Sequence, residues 1–342
     1  MLNLPPKARI LLIRTDRIGD VVLSTPVASA IKRAWPEAKV IFLAREYTKP
    51  LLELHRDVDV VWTEEEIENG GNPVEALKKA GVAAAIALHP DLKWAWRMAR
   101  AHIPIRVGTA YRAFSFLYTT RVFEHRKRSL LHEVEHNLNL LQPFGIEGRP
   151  VRFHFQVPSA VLEKVRELLD SRGVVREQPF VVLHPGSGGS AVDWPLSFFG
   201  ELARKLRARN LPVVVTGAVS ERLLGERLVE IGGSGVINLA GEIDLTELAA
   251  VLKWAHVVVA NSTGPLHIAV AMGTEVVGFY CPVPPCSPQR WGPYGRPDSV
   301  LVPSRVSCKT CGDKTCVKSR CMEQISVQTV LEKVLQKMKI ES

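Results

Sequence analysis

Ala-Arg-Ile-Leu-Leu-Ile-Arg, residues 8–14, is a continuous apolar run, and Thr-Asp-Arg-Ile-Gly-Asp, residues 15–20, is the tight polar turn after it. Such a run is typical of a strand buried on both faces of a parallel sheet. The residues from Val21 to Trp35 then predict an amphipathic helix, with Pro26 in its first turn because proline lacks a backbone donor. Strand, turn and helix in this order form the first unit of a doubly wound α/β sheet.

The same alternation continues along the chain and then begins again. Apolar runs of strand length follow at residues 39–43, 58–62 and 83–88. A second series starts at Phe180, with predicted strands at 180–183, 212–216, 235–239, 257–260 and 276–280 and helices at 196–207 and 327–337. Residues 151–178 carry a helix and a charged connection, and the domain boundary is expected there. The sequence therefore predicts two α/β domains of similar construction.

Length and composition agree with two cores. The chain has 342 residues, of which 46% are hydrophobic and 23% charged, a globular mixture. No apolar run reaches the ~18 residues of a membrane-spanning helix. The amino terminus lacks a signal-peptide pattern, so a cytoplasmic location is expected.

The net charge of +9 is unevenly spread. Between Lys93 and Arg128 there are nine basic residues and one acid, Glu124. A field of one sign attracts anionic partners such as phosphates, acidic sugars or a lipid surface, although it can also be a merely solvated basic face. Nucleic acid is not expected as a partner, since no nucleic-acid-binding motif is present.

The six cysteines lie late in the chain. Four of them form a C-x2-C-x4-C-x4-C cluster, namely Cys308, Cys311, Cys316 and Cys321. In a cytoplasmic protein this spacing suggests a metal more than disulfides. A structural zinc, an iron–sulfur cluster and free or disulfide-linked thiols all remain open.

Two loops that follow the first strand of each half are candidate binding sites. Ligands of open α/β sheets bind beyond the carboxyl ends of the strands, and Asp20 lies at such a position. An acid at that position can also simply favour the helix dipole. In the second half, His-Pro-Gly-Ser-Gly-Gly-Ser, residues 184–190, leaves backbone and hydroxyl donors free to surround an anion, or is a plain flexible loop.

Three further segments carry polar residues near strand ends. Asn-Ser-Thr-Gly-Pro-Leu-His, residues 261–267, offers hydroxyls and helix N–H groups to an anion, while His267 can equally be a satisfied core histidine. Glu221 follows a strand closely enough to take a ribose hydroxyl pair. Asp57 and Asp59 form a D-x-D pair, which we interpret as structural because it begins an apolar strand.

Taken together, these segments resemble glycosyltransferase family 9, the bacterial heptosyltransferases of lipopolysaccharide core assembly. The resemblance covers nearly the whole chain. It rests on R-I-G-D-V-V-L-S-T-P at 17–26, H-P-G-S at 184–187, W-P at 194–195, N-S-T-G-P-L-H-I-A at 261–269 and P-x-R-W-G-P at 288–293.

The resemblance implies a GT-B fold, in which two Rossmann-like doubly wound parallel-sheet domains face a cleft. Residues 1–155 would be the acceptor-binding domain, 156–178 a connecting segment, 179–325 the nucleotide-sugar-binding domain and 326–342 a terminal helix that packs back toward the first domain. The protein is expected to be a monomer.

The implied reaction is an inverting transfer of a heptose from ADP-heptose to the lipopolysaccharide inner core, a lipid A–Kdo or heptosyl acceptor, without a catalytic metal or other cofactor. Asp20, beside Gly19, would be the general base. The other substrate-binding positions that the resemblance assigns are Ser187, Gly188, Ser262, Thr263 and Gly264 at the diphosphate and sugar, Glu221 at the ribose, Ile243 at the base and His267. An anionic acceptor at the cytoplasmic face of the inner membrane implies peripheral binding through charge and an apolar patch.

Two departures from the family pattern fall on the donor side. Val192 stands where the family commonly has a lysine that contacts phosphate, and Ser262 stands where heptosyltransferases often have an aspartate. Arg17 or Arg290 could supply the missing cation. Two alternatives stay open: a related glycosyltransferase with another nucleotide sugar for another surface glycan, and a non-catalytic nucleotide-sugar-binding protein.

Overall fold

The chain folds into two compact units, Met1–Gln156 and Val157–Ser342. The computed structural model describes residues 1–175, 177–284, 286–304, 306 and 320–340. Each unit is built on one six-stranded sheet whose neighbouring strands are all parallel. Within these ranges, no helix is both long and apolar enough to cross a bilayer.

The sheet of the first unit has the order β3-β2-β1-β4-β5-β6. Its strands are β1 Arg9–Ile13, β2 Lys39–Ala44, β3 Val60–Thr63, β4 Ala84–Ala87, β5 Ile105–Thr109 and β6 Thr120–Val122. Its helices are α1 Ile18–Val22, α2 Pro26–Ala34, α3 Lys49–Glu53, α4 Glu64–Asn69, α5 Pro73–Lys79, α6 Leu92–Arg100 and α7 Glu133–Asn139. Strand β1 lies at the centre because its apolar residues are buried on both faces: Leu11, Leu12 and Ile13 are at most 1% exposed.

The prediction of one helix from Val21 to Trp35 was wrong, because the structure has two. α1 ends at Val22, and α2 begins at Pro26. Pro26 has no N–H to donate to the carbonyl of Val22, and the Thr25 hydroxyl donates to that carbonyl instead, at 2.9 Å. The break makes α1 a single short turn of helix that carries Asp20.

The second unit repeats the first topology, with the order β12-β11-β10-β7-β8-β9. Its strands are β7 Val181–His184, β8 Val213–Val215, β9 Val236–Asn238, β10 Val257–Asn261, β11 Glu275–Phe279 and β12 Val300–Leu301. Its helices are α8 Ser159–Ser171, α9 Leu196–Arg207, α10 Arg222–Gly232, α11 Leu245–Trp254, α12 Gly264–Ala271, α13 Pro288–Trp291 and α14 Val327–Met338. The predicted alternation of strands and helices is confirmed in both units.

The last helix, α14, packs within the second unit. It contacts α9, β10 and β11, and its residues Val330, Leu331, Val334 and Leu335 are buried in the core of that unit. That core also holds Trp194, which stacks on Phe279 with ring centroids 4.6 Å apart. The expected contact of this helix with the first domain stays a prediction.

The topology fixes where ligands can bind in each unit. In the first sheet β1 lies beside β4, and in the second β7 lies beside β10, so the strand order reverses at these two pairs. At such a switch point the loops after the two strands diverge and leave a crevice at the carboxyl edge. Both predicted loops, residues 15–20 and 184–190, leave strands of such a pair.

Candidate active site

Asp20 lies in the first turn of α1, beside Gly19, and its carboxylate is fixed by Arg14 at the carboxyl end of β1. The Arg14 guanidinium is only 2% exposed and donates to Asp20, to Asp16 at 2.7 Å and to Glu133 at 3.0 Å. It also donates to the carbonyl of Leu88, which follows β4. One buried cation therefore gathers three carboxylates at the switch point.

Glu133, at the start of α7, is completely buried and accepts from a second guanidinium, that of Arg126. The side-chain oxygen of Asn137 accepts from both cations, at 3.3 Å from Arg14 and 3.0 Å from Arg126. Its amide nitrogen donates to Leu23 and thereby ties α7 to the end of α1. Three carboxylates and two guanidiniums thus form a connected cluster, which we call the Arg14 cluster.

The electrostatics of the Arg14 cluster suit proton transfer at Asp20. Burial raises the pKa of Asp20 to about 6, and the charges of Asp16 and Glu133 add to that rise, while Arg14 opposes it. Burial alone would lower the pKa of Arg14, but its three carboxylates hold that pKa above its usual range. Asp20 is 18% exposed and, among the described residues, its second oxygen has no donor.

A cavity of about 350 Å³ opens in the first unit beside the Arg14 cluster. It lies at the carboxyl ends of β4, β5 and β6, and its lining includes Leu88, Tyr111, Arg112, His125 and Arg126. The Tyr111 ring packs on His125 with centroids 3.9 Å apart. Aromatic faces together with two guanidiniums suit a sugar that carries an anionic group.

The second unit presents backbone amides at its switch point. Gly188 and Gly189 have φ of +55° and +74°, the left-handed region in which glycine has no Cβ penalty. The amides of Ser187, Gly188 and Gly189 have no acceptor among the described residues. Successive free N–H groups in such a turn form an anion-binding concavity.

The loop after β10 adjoins this turn. Ser190 donates to the carbonyl of Ser262 at 3.2 Å, and Asn261 donates to the carbonyl of Pro185 at 2.6 Å. Thr263 is the N-cap of α12 but makes no side-chain cap bond, and the amide of Gly264, at the first position of the helix, has no acceptor among the described residues. The two loops that carry the amide donors and the N-terminus of α12 are therefore in contact with each other.

Glu221 lies close to the same turn. A Cβ on Gly186 would come within 1.9 Å of the Glu221 carboxylate, so the glycine permits this approach. Glu221 accepts from the Ala218 amide at 2.9 Å and lies 4.0 Å from His184. Burial lowers the pKa of His184 to about 4, so this histidine is neutral near pH 7 and does not cancel the charge of Glu221.

The other two residues that were predicted to bind the nucleotide sugar are Ile243 and His267. Ile243 is half-buried just before α11, after a turn in which the Gly241 amide donates to Gly217. His267 is buried in α12 at 4% exposure, as its alternative interpretation also expected. Val192 packs against the buried Cys281, as do Val283 and Cys286, so the position of the family lysine is apolar here.

Several interpretations of charged residues can now be compared with the structure. The D-x-D pair is structural: Asp57 accepts from Ser29 and lies 2.5 Å from His154, and Asp59 accepts from the Val40 amide and pairs with Lys32. Arg17 is exposed at the N-cap of α1, whereas Arg290 stacks on Trp291 in the second unit.

The basic stretch is less uniform than the sequence indicates. Lys93 and Arg97 pair with Glu68, and Arg126 pairs with the buried Glu133, so acids from outside the stretch neutralise part of it. Arg106 donates to two backbone carbonyls. Arg112, Arg121 and Arg128 are exposed, and Arg112 lines the cavity.

Most of the predicted metal site lies outside the described residues. Cys308, Cys311 and Cys316 are not described, and Cys321 is buried at 2% in the core of the second unit. Among the residues that are described, no group of three or more His, Cys, Asp or Glu side chains has the arrangement of a metal site.

Comparison with known proteins identifies relatives for the whole chain. The family model of glycosyltransferase family 9 (heptosyltransferase) matches residues 74–322. A putative glycosyltransferase of Haemophilus influenzae is 26% identical over 95% of this chain and 95% of its own length. Lipopolysaccharide heptosyltransferase 3 of Escherichia coli is 26% identical over 77% of this chain and 80% of its own.

Solved structures agree on the fold. The E. coli ADP-heptose lipopolysaccharide heptosyltransferase II superposes with a TM-score of 0.79 at 22% identity, over 97% of this chain and 98% of the other. The predicted fold class, two doubly wound α/β domains as in GT-B heptosyltransferases, is confirmed.

Proposed function

Because the chain belongs to glycosyltransferase family 9 (heptosyltransferase) and is therefore a glycosyltransferase, we propose that it transfers a heptose from ADP-heptose to the anionic inner core of lipopolysaccharide, with Asp20 as the general base. The observation that carries this proposal is the Arg14 cluster, which fixes an accessible carboxylate of raised pKa at the switch point of the first unit.

In the proposed reaction Asp20 accepts the proton of the acceptor hydroxyl. The acceptor oxygen attacks the anomeric carbon from the face opposite the leaving group, the bond from that carbon to the diphosphate oxygen breaks, and the configuration inverts. A base with a pKa of about 6 is still ionised near pH 7 and is stronger than an ordinary carboxylate. Arg14 fixes the orientation of Asp20 for this step.

The amide groups of the second unit would hold the leaving diphosphate. Ser187 and Gly188 on one loop and Thr263 and Gly264 on the other offer fixed donors to the negative charge that grows as ADP departs. Such donors would make a catalytic metal unnecessary. Glu221 would accept the ribose hydroxyls, and Ile243 would pack against the base.

The cavity beside Arg126 would bind the acceptor. Its aromatic pair and its two guanidiniums match a sugar with phosphate or carboxylate groups.

Exposed apolar side chains follow the neighbouring strands: Phe116 is 74% and Phe123 75% exposed. With Arg121, they would bring the first unit to the cytoplasmic face of an anionic membrane without spanning it.

Donor turnover tests the reaction. Purified protein is given ADP-heptose, UDP-sugars or GDP-sugars with a lipid A–Kdo acceptor, and the released nucleotide is measured. We expect release of ADP, and we expect Asp20→Ala to abolish it, while Glu163→Gln, which neutralises an exposed carboxylate of α8, leaves it unchanged. Release of UDP alone would refute the heptose donor, and an active Asp20→Ala protein would refute the base.

A related glycosyltransferase with another donor is the second candidate, and Val192 and Ser262 favour it. Both replace charged residues that heptosyltransferases commonly have, and Val192 is packed in an apolar cluster. If turnover occurs with a different nucleotide sugar, this candidate replaces the first.

Vesicle flotation tests the membrane proposal. We expect the protein to float with vesicles that contain anionic lipid and not with neutral ones. Phe123→Ser should weaken flotation, whereas Val175→Ser, which alters a 63% exposed residue of the second unit, should not. Equal flotation of both variants would contradict this orientation.

For the four cysteines we propose a structural zinc, on their spacing alone. Elemental analysis of the purified protein should find about one zinc per chain and a loss of thermal stability on chelation. Iron in place of zinc would assign a different metal, and less than about half a metal per chain would refute the site.

A further inference from the structure

A continuous path of buried ion pairs links the cavity of the first unit to Asp20. Arg126 lines the cavity and donates to Glu133. Glu133 also accepts from Arg14 at 3.0 Å, and Arg14 donates to Asp20. The two ends of this path are the two places where the acceptor would be bound and deprotonated.

The centre of the path is costly to build. Glu133 is 0% exposed and Arg14 is 2% exposed, so both charges have lost most of their hydration. Burial of a charge is tolerated when partners compensate it, and an apolar pair of similar size would often be at least as stable. A purely stabilising role therefore explains the pair poorly, whereas a role in fixing Asp20 explains it directly.

We propose that Glu133 is a positioning residue, which holds Asp20 through Arg14 and couples it to the anionic group bound beside Arg126. This inference rests on the proposed function, since it assumes that Asp20 is the base and that the cavity takes the acceptor.

The coupling has a definite sign. An anion at Arg126 draws that guanidinium away from Glu133. The negative charge of Glu133 is then balanced mainly by Arg14, so less of the positive charge of Arg14 is left to stabilise the ionised form of Asp20. The anion also repels the ionised form of Asp20 directly. Both effects make Asp20 more basic when the cavity is occupied.

Other charges around Asp20 do not reverse this sign. Besides Asp16, which belongs to the Arg14 cluster, the titratable and charged groups near it on the surrounding elements are His89, Asp91, Tyr47, Arg17 and Arg45, with Glu124 in the cavity lining beside Arg126. Asp16 raises the pKa of Asp20 further. Burial lowers the pKa of His89, which disfavours a positive charge on this ring. The sign of the coupling therefore depends on Arg126, Glu133 and Arg14.

Carboxyl carbon NMR of Asp20, with inorganic phosphate as the anion, tests the coupling without any turnover. At a separation on the order of 10 Å and an effective dielectric of about 20 to 40, one added charge should raise the pKa of Asp20 by roughly half to one unit. Arg126→Gln should abolish that rise. Phosphate that binds without moving the Asp20 titration would overturn the proposal, as would the absence of phosphate binding.

Kinetics of Glu133→Gln test the positioning role. We expect kcat to fall by about 10-fold, the KM for the donor to stay unchanged, and the acid limb of kcat/KM to move to lower pH by about one unit. Glu133→Asp should move the acid limb of kcat/KM part of the way back to its wild-type pH. Glu135→Gln, on the same helix and paired with Arg149 at the surface, is the matched control.

Stability alone would not reproduce this pattern. A Glu133→Gln protein that melts earlier but keeps the wild-type acid limb would overturn the positioning role. If the Glu133→Gln variant does not fold, the phosphate titration of the wild-type chain still tests the coupling between the cavity and Asp20. An NMR coupling without heptose transfer would refute only the proposed function, and transfer without coupling would refute only this inference.

Discussion

Asp20→Asn should make the protein more stable at neutral pH while it abolishes transfer. Burial raises the pKa of Asp20 from 3.8 to about 6, so the folded chain holds this proton more tightly than the unfolded chain does. For an acid with a raised folded-state pKa, stability is highest below the unfolded pKa and falls as pH rises through the folded pKa. The ionised Asp20 is therefore a destabilising group near pH 7.

The magnitude follows from the size of the shift. A rise of about two units, at 1.36 kcal/mol per unit, corresponds to about 3 kcal/mol of stability lost between about pH 4 and about pH 7. The asparagine side chain of the variant has nearly the same shape as aspartate and does not titrate. The difference in unfolding free energy between variant and wild type should therefore grow by up to about 3 kcal/mol over this pH range.

Urea unfolding at several pH values measures this difference. Because the chain has two units, the transition of the first one is followed by pulsed hydrogen exchange of the β1 peptide, Arg9–Ile13. Glu163→Gln, at an exposed carboxylate of α8 in the second unit, controls for a general loss of negative charge. If the unfolding free energies of wild type and Asp20→Asn changed with pH in parallel, the raised pKa would be refuted, even if the variant were inactive.

Three further results are expected on the donor side. Gly188→Ala should weaken ADP binding in calorimetry, since φ is +55° there, whereas Gly273→Ala, at φ +89° after α12, should lower stability alone. Equal ADP affinities of the two variants would contradict the amide cradle. Glu221→Gln should weaken ADP binding by about 10-fold through loss of a charge-assisted hydrogen bond of roughly 1.5 kcal/mol, and should leave inorganic diphosphate binding intact. Val192→Lys should lower the melting temperature, because it places a charge in the cluster around Cys281, but should tighten ADP binding at low salt; an unchanged affinity would show that the diphosphate does not reach this position.

The fold was largely predictable because burial of a strand on both faces produces a recognisable pattern in the local sequence. Strands such as β1 and β10, which are buried on both faces, appear as uninterrupted apolar runs. Strands β5, β6 and β12 were not predicted, since β5 and β6 carry arginines and β12 has only two residues. Their position is set by pairing with neighbouring strands, which a single sequence does not contain.

The candidate site was predictable only in part, for a related reason. Asp20 could be found because it follows a strand directly, in the place where an open sheet binds ligands. Glu133 was missed, since it is 119 residues from Arg14 and nothing near it in sequence indicates a partner. Arg126 was counted as part of a basic surface, although its charge is used inside the protein. Long-range ion pairs are properties of the folded chain.

The two halves show how one topology can support two kinds of chemistry. Both sheets have the same strand order, and both place their loops at the switch point between the first and fourth strands. The first half fills that point with side chains that titrate, around Arg14. The second presents backbone amides there, which keep the same dipole at every pH, beside Glu221 and a His184 that is neutral near pH 7. A proton acceptor must change charge during the reaction and a diphosphate cradle must not, and this difference in chemistry supports the proposal that the first unit supplies the base and the second unit holds the leaving group.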